Sequence, residues 1–204
     1  MIVYETTKSA QDLEQILELQ RANHPENLTE EEVKVQGFVS AKHDAHLLRE
    51  MSAPYSHVVA RGSAKGMEDK VVGYCLTMLP EFDGSLIPCL DGNLDMKAID
   101  SGIEMAQYKG KPVRDLKYLI TGQVCVAKEF RGQGVFSGLY HEMRRQLSPH
   151  FDCMVAPIAV QNKRSLYAHT KIGFQVVHEY TIDSGEAGCG DEWCVVLWDW
   201  SGDS

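Results

Sequence analysis

Apolar and polar positions along this chain follow two periods. Short apolar runs rich in β-branched and aromatic residues occupy 56–61 ("SHVVAR"), 70–78 ("KVVGYCLTM"), 116–127 ("LKYLITGQVCVA"), 151–160 ("FDCMVAPIAV"), 174–182 ("FQVVHEYTI") and 192–200 ("EWCVVLWDW"). That composition predicts strands, and "MIVYET" opens the chain in the same way. In the last run both alternating sets are apolar, so that strand is expected to be buried on both faces.

Other stretches carry helical spacing. Ser9-x-x-Asp12 resembles a capping box and precedes Leu13, Ile16 and Leu17 on one face. Thr29-x-x-Glu32 opens a second helix, and "HDAHLLREM" (43–51) reads as more helix. Val135, Leu139, Met143 and Leu147 recur at four-residue intervals until Pro149. "NKRSLYAHTKIG" is a helix closed by Gly173. Residues 62–70 read as a long hairpin loop. Residues 80–117, with Pro80, Pro88 and Pro112, read as one irregular excursion.

Strand 116–127, helix 134–147 and strand 151–160 form a βαβ unit, which makes those two strands parallel with a right-handed crossover. The remaining strands follow one another through loops and are expected to be antiparallel. The prediction is one α/β domain over 1–204, with a mixed, mostly antiparallel sheet flanked by helices.

Composition narrows the function classes. The length of 204 residues suits one domain that needs no disulfide or metal staple. The net charge of −9 argues against broad nucleic-acid binding and mildly favours a cationic substrate. No apolar run approaches a membrane span and the N-terminus lacks a secretory pattern. Cysteines 75, 89, 125, 153, 189 and 194 show no C-x-x-C spacing and read as reduced thiols. A cytoplasmic location is expected, with neither a nucleic-acid nor a membrane partner.

"EFRGQGVFSGLY" (129–140) places glycines at 132, 134 and 138 where a strand hands over to a helix. The first turn of a helix offers N–H groups without internal partners, and its dipole favours an anion. The stretch has no Gly-Lys-Ser/Thr, so it is not a P-loop, and Ser137 replaces the third glycine of a dinucleotide fingerprint. A tight turn with a close-packed helix explains the glycines equally well on this stretch alone.

Two linked signatures decide it. "VCVAKEFRGQGVFSGLY" followed by "NKRSLYAHTKIGF" resembles the GNAT superfamily of acetyl-CoA-dependent N-acetyltransferases. Arg131 and Gly134 match that family's central Arg/Gln-x-x-Gly-x-Gly/Ala signature, and Phe136 departs from it. Asn162, Gly173 and Phe174 match the second signature in spacing, and 70–78 resembles the family's third strand. The likeness is good over roughly 70–180.

The resemblance implies a fold in which the two parallel central strands splay apart and admit acetyl-CoA, with Pro157 interrupting the ladder. Gly132, Gln133, Gly134, Val135, Phe136 and Ser137 would hold the pyrophosphate by backbone N–H groups. Val124, Cys125 and Val126 would pair with the pantetheine, and Arg131, Lys128, Lys163 and Arg164 could add positive charge. An amine would attack the thioester and the CoA thiolate would leave. The family's usual acid is a Tyr seven residues after the Asn, and here that position is His169. Tyr167 lies about 200° round the helix. Asn162, Ser165 and His169 share one helical face, so this stripe is expected to face the cofactor with His169, partly protonated near neutrality, as the acid. Glu81, Asp83 and His57 are the candidates for the base, with Gln123 only as a water-positioner. The alternative is a non-catalytic acyl-CoA binder in which Phe136 and His169 mark lost chemistry. The partner is a small-molecule or peptide amine, with homodimer formation left open.

Three further clusters are read as ordinary structure. His43 and His46 lack a third metal ligand and are taken as exposed histidines. Cys189, Cys194 and His178 lack a fourth, so no metal is expected. Six acids between 81 and 104 (Glu81, Asp83, Asp91, Asp95, Asp100, Glu104) could line an amine-binding mouth or form a solvated loop.

Overall fold

The computed structural model describes residues 2–39, 41–64, 67–83, 96–182 and 191–202. In chain order these form β1 (Ile2–Thr6), α1 (Ala10–Ala22), α2 (Glu30–Gln36), α3 (Ala45–Met51), β2 (Val58–Ala64), β3 (Met67–Met78) and α4 (Met96–Met105). There follow β4 (Gln107–Tyr108), β5 (Lys111–Pro112), β6 (Tyr118–Val126), α5 (Val135–Leu147), β7 (Cys153–Ala159), α6 (Lys163–Lys171), β8 (Gln175–Ile182) and β9 (Asp191–Asp199). Both predicted capping boxes form: Ser9 with Asp12 opens α1, and Thr29 with Glu32 opens α2.

Seven strands make one sheet in the order β1-β2-β3-β6-β7-β9-β8. Every neighbouring pair is antiparallel except β6 with β7. Alternation along the central strands sends side chains to two cores. Ile120, Val155, Val195 and Leu197 pack under α1, α3 and α4, with Leu13, Ile16, Leu48 and Ile103. Leu119, Met154, Val196 and Trp198 pack under α5, with Leu139, Tyr140 and Met143. Residues 193–198 of β9 are all buried, as its doubly apolar pattern predicts.

The parallel ladder is short. It joins Tyr118–Ile120 to Cys153–Val155 and then stops. From there β6 follows β3 alone, up to Val126 opposite Gly73, while β7 follows β9 to Ala159 opposite Trp193. The divergence has a local cause. Leu76 faces Gln123 and Thr77 faces Thr121, so Gly122 is the extra residue of a β-bulge. A bulge bends its strand and sharpens its twist, and this one begins where the pairing with β7 ends. Pro157, two residues past the last rung, has no N–H to extend the ladder.

Three expectations need correction. The 62–70 connection is not a long loop, because β2 runs to Ala64 and β3 begins at Met67. The 80–117 excursion contains α4 and the β4–β5 hairpin. Only Ala45 onwards is helical in 43–51, with Asp44 as N-cap, so His43 and His46 do not share a helical face. Cys75, Cys125, Cys153 and Cys194 are free and buried, while Cys89 and Cys189 lie outside the described residues. No described helix is long and apolar enough to cross a membrane.

Candidate active site

The three glycines of the 129–140 stretch do different work. Gly132 (φ 74°) and Gly134 (φ 81°, the N-cap of α5) sit in the left-handed region. A Cβ built on either would meet nothing within 4 Å, so the backbone faces open space. No side chain caps α5, which leaves its first-turn N–H groups available to a ligand beside two exposed glycines. Gly138 serves packing instead: its Cβ would stand 2.1 Å from the Tyr4 ring, so α5 crosses β1 closely only because this position is bare. The glycines thus divide into two that border open space and one that serves close packing.

From the cradle a cavity of about 560 Å³ runs into the splay, past Val124, Cys125 and Val126 on β6 and Phe136 and Ser137 on α5. A second chamber of about 140 Å³ lies deeper, between β6 and β7. The two share five lining residues: Phe38, Val39, Val124, Asn162 and Ser165. Asn162 stands at the junction. It caps α6 by accepting from the Ser165 N–H at 3.2 Å, which fixes its side chain there. The loop after α2 closes over it. Gly37 (φ 72°) approaches so closely that a Cβ would lie 2.9 Å from Asn162 Oδ1.

His169 forms part of the deeper chamber's wall and is buried. Its Nδ1 lies 2.7 Å from the Ser165 carbonyl, to which it must donate. Nε2 is therefore the acceptor for the Tyr140 hydroxyl at 2.6 Å. Phe136, Tyr140 and Phe174 surround the ring at centroid distances of 5.0–5.3 Å. Burial lowers its pKa to about 4. The expectation of a partly protonated His169 near neutrality is corrected: the imidazole is neutral there, with both nitrogens engaged.

The candidate bases separate. His57 is structural. Its Nδ1 accepts from the Thr77 N–H at 3.0 Å, its Nε2 donates to Leu48 O at 2.9 Å, and burial lowers its pKa to about 4. Glu81 and Asp83 are exposed and form no part of either chamber's lining. Gln123 does line the deeper chamber, inside a polar network. Its Oε1 accepts from Tyr74 Oη (2.5 Å) and Gln20 Nε2 (2.8 Å), and its Nε2 donates to Ala41 O (3.2 Å). Gln20 also donates to His43 Nδ1 at 2.7 Å and accepts from the His43 N–H at 3.0 Å. His43 is thus buried in this network, not an exposed histidine, and desolvation lowers its pKa to about 3. The network ties α1, the 37–43 loop, β3 and β6 together around the chamber.

Arg131 and Lys128 are engaged too. Arg131 lines the outer cavity, but its Nε donates to Val126 O at 2.9 Å and its other arm to Asn23 Oδ1 at 2.5 Å, which anchors the cradle to the end of α1. Lys128 pairs with Glu32 at 2.7 Å. Arg164 lines the outer cavity, whereas Gln133 turns back to Glu129 O and does not. No cluster of three or more metal-type ligands occurs among the described residues.

The sequence reading missed the 37–39 loop, Asn23 and Trp193, and named Asp100 only as one of six acids that could line an amine-binding mouth. Only Gly37 left a signal, as an isolated glycine just past a helical stretch. The others belong to segments that carry no motif and reach the site through tertiary packing.

Comparisons with known proteins follow the same geometry. A family model described as FR47-like protein matches residues 115–182, from just before β6 to the end of β8. No curated protein sequence matches the chain. Arabidopsis thaliana NAA60 in complex with acetyl-CoA is similar in structure, with a TM-score of 0.63, 12% identity, and 98% and 99% of the two chains covered. The GNAT superfamily phosphinothricin acetyltransferase of Sinorhizobium meliloti, also with acetyl-CoA, gives 0.59 at 16% identity, with 97% and 88% covered. YncA of Salmonella typhimurium, a putative acetyltransferase solved with acetyl-CoA, gives 0.58 at 15%, with 100% and 96% covered. The expected fold, a mostly antiparallel sheet with two splayed parallel central strands, is the one found, and the FR47-like match falls on the stretch that carries both sequence signatures.

Proposed function

We propose that this chain of GNAT fold is an acetyl-CoA-dependent N-acetyltransferase acting on a primary amine. One observation carries the reading. A strand splay and a glycine cradle at an uncapped helix N-terminus adjoin a second chamber that shares five of the outer cavity's lining residues. The cradle suits a pyrophosphate, because Gly132 and Gly134 leave room where any Cβ would intrude. The β6 edge from Thr121 to Val126, which β7 no longer pairs, suits the amides of a pantetheine arm. Similar structures solved with acetyl-CoA support the same occupant.

In this reading the thioester lies at the junction, beside Val124, Asn162 and Ser165. A main-chain N–H of β6 polarises its carbonyl as the amine's lone pair attacks. A C–N bond forms, the C–S bond breaks, and the amine's proton leaves through the chamber. The chain acts mainly by holding the two reactants together. His169 acts as acid only by first taking up the proton the amine gives up, at the expense of its bond from Tyr140, and passing it to the thiolate, whose negative charge favours the imidazolium and raises its low pKa.

Thiol release from acetyl-CoA over a panel of amines, with calorimetric binding of CoA, tests the reading. Amine-dependent thiol release supports it. CoA binding without release at any amine supports the non-catalytic acyl-CoA binder instead.

A further inference from the structure

The deeper chamber carries polar groups that the acyl-transfer reading does not use. Asp100, near the start of α4, is the one charged side chain among the described residues lining it. Trp193, at the far end of β9, also lines it. Trp193 is buried and its indole N–H has no hydrogen-bond partner among the described residues. A buried donor left unmade is costly, which points to a ligand acceptor at that place.

Their positions are built into the fold. Ile99 and Trp193 pack together with Ile182. Tyr180 donates to Ile99 O at 2.8 Å, and Gly102 lets α4 rest on the Tyr180 ring, where a Cβ would stand 2.3 Å away. Asp100 is thereby held against the β8–β9 side of the splay. Outside it, Glu81 and Glu104 join Asp100 in raising the pKa of Tyr118, after burial itself, so the surroundings are negative.

We infer that the chamber selects an α-amine flanked by a carbonyl, as in an amino-acid amide or a peptide N-terminus. Asp100 receives the ammonium and the Trp193 N–H donates to the carbonyl oxygen. This inference rests on the acyl-transfer reading and names its acceptor class. Size agrees: a chamber of about 140 Å³ takes a group of a few heavy atoms. Proton chemistry agrees as well. His57 and Gln123 are committed to internal partners, so the site suits an amine that sheds its proton readily. An α-amino group has a pKa of about 8, against about 10.4 for lysine. The ammonium loses its proton towards Asp100 and solvent, and the freed lone pair then forms the amide as the thiolate departs.

The test compares alaninamide, the tripeptide Ala-Ala-Ala, propylamine and Nα-acetyl-lysinamide as ligands of the CoA-saturated protein by calorimetry, and as acceptors by thiol release. Alaninamide is expected to bind at least about tenfold tighter than propylamine. Trp193→Phe is expected to remove that difference, and Asp100→Asn to weaken both ligands by about tenfold or more. A tripeptide binding as well as alaninamide identifies a peptide end, and a weaker one identifies a free amino-acid derivative. Equal affinity for alaninamide and propylamine, or preference for the lysine derivative, overturns the inference. If Trp193→Phe fails to fold, the wild-type preference and Asp100→Asn still decide. Selective binding of alaninamide without thiol release keeps the acceptor assignment and overturns the acyl-transfer reading.

Discussion

Gly37, at a φ of 72°, lies so close to Asn162 at the junction of the two cavities that there is no room for a Cβ between them. Gly37→Ala adds a Cβ 2.9 Å from Asn162 Oδ1 and places an L-residue in the left-handed region. The backbone strain costs about 1–2 kcal/mol. Displacement of Asn162 disturbs both binding events, so acetyl-CoA affinity is expected to fall about tenfold, alongside a lowered urea midpoint. Unchanged affinity would place the loop outside the cofactor path.

Gly134→Glu is expected to abolish acetyl-CoA binding while the protein stays folded. The position is exposed and open, so the fold loses only about 1–2 kcal/mol from the positive φ. The new carboxylate stands where the pyrophosphate is proposed to lie. Calorimetry on the folded variant checks this, and retained affinity would reduce Gly134 to a turn residue.

Phe136 stands 5.0 Å, edge-on, from His169 and lines the outer cavity, so it fills space that the family's usual small residue would leave. Phe136→Ala is expected to cost about 2–3 kcal/mol, less than a fully buried Phe. Its turnover ratio of butyryl-CoA to acetyl-CoA should rise several-fold. Competition between the two acyl-CoAs measures this. A ratio that stays constant means the side chain serves the aromatic cluster alone.

His169→Phe separates packing from proton transfer. The bond from Tyr140 is lost in either case. If His169 supplies the thiolate's proton, turnover drops on the order of 10²-fold with a changed pH profile and unchanged acetyl-CoA affinity. A parallel pH profile with a modest rate loss assigns it to packing.

Acid should unfold this protein early. His43, His57 and His169 have native pKa values of about 3, 4 and 4, depressed by burial below an unfolded value of about 6.5. Between those limits the unfolded chain binds more protons, so stability is full above about pH 6.5 and declines as pH falls towards 4. Each histidine adds about 1.4 kcal/mol per pH unit to the slope within its window. Urea midpoints from pH 7.5 to 4.5 test this, and His169→Phe should flatten the slope by roughly one proton.

Most of the sheet was legible because its strands are apolar runs with turn signals, and the cradle was legible because glycines mark a strand-to-helix junction. What stayed hidden depends on contacts between distant segments. Ile99 and Ile103 have helical spacing, but the prolines and glycines around them masked α4. His43 reads as an exposed residue on a helix, but it lies just before the helix and pairs with Gln20, 23 positions away, in a buried network. The charge state of His169 likewise follows from the cage formed by Phe136, Tyr140 and Phe174, which no local pattern encodes.

The bulge at Gly122 has a mechanical consequence. The sheet is two smaller sheets, β1-β2-β3-β6 and β7-β9-β8, stitched by three residues at one end of their common border. Beyond the stitch the border is an open seam. An extended molecule carrying amide groups, lying along it, would act as an eighth strand and lace the two halves together. The substrate would then be part of the protein's tensile structure while bound, and its departure as product would loosen the seam again. Each catalytic cycle would also be a cycle of stiffening and release, centred on one glycine that adds one residue too many.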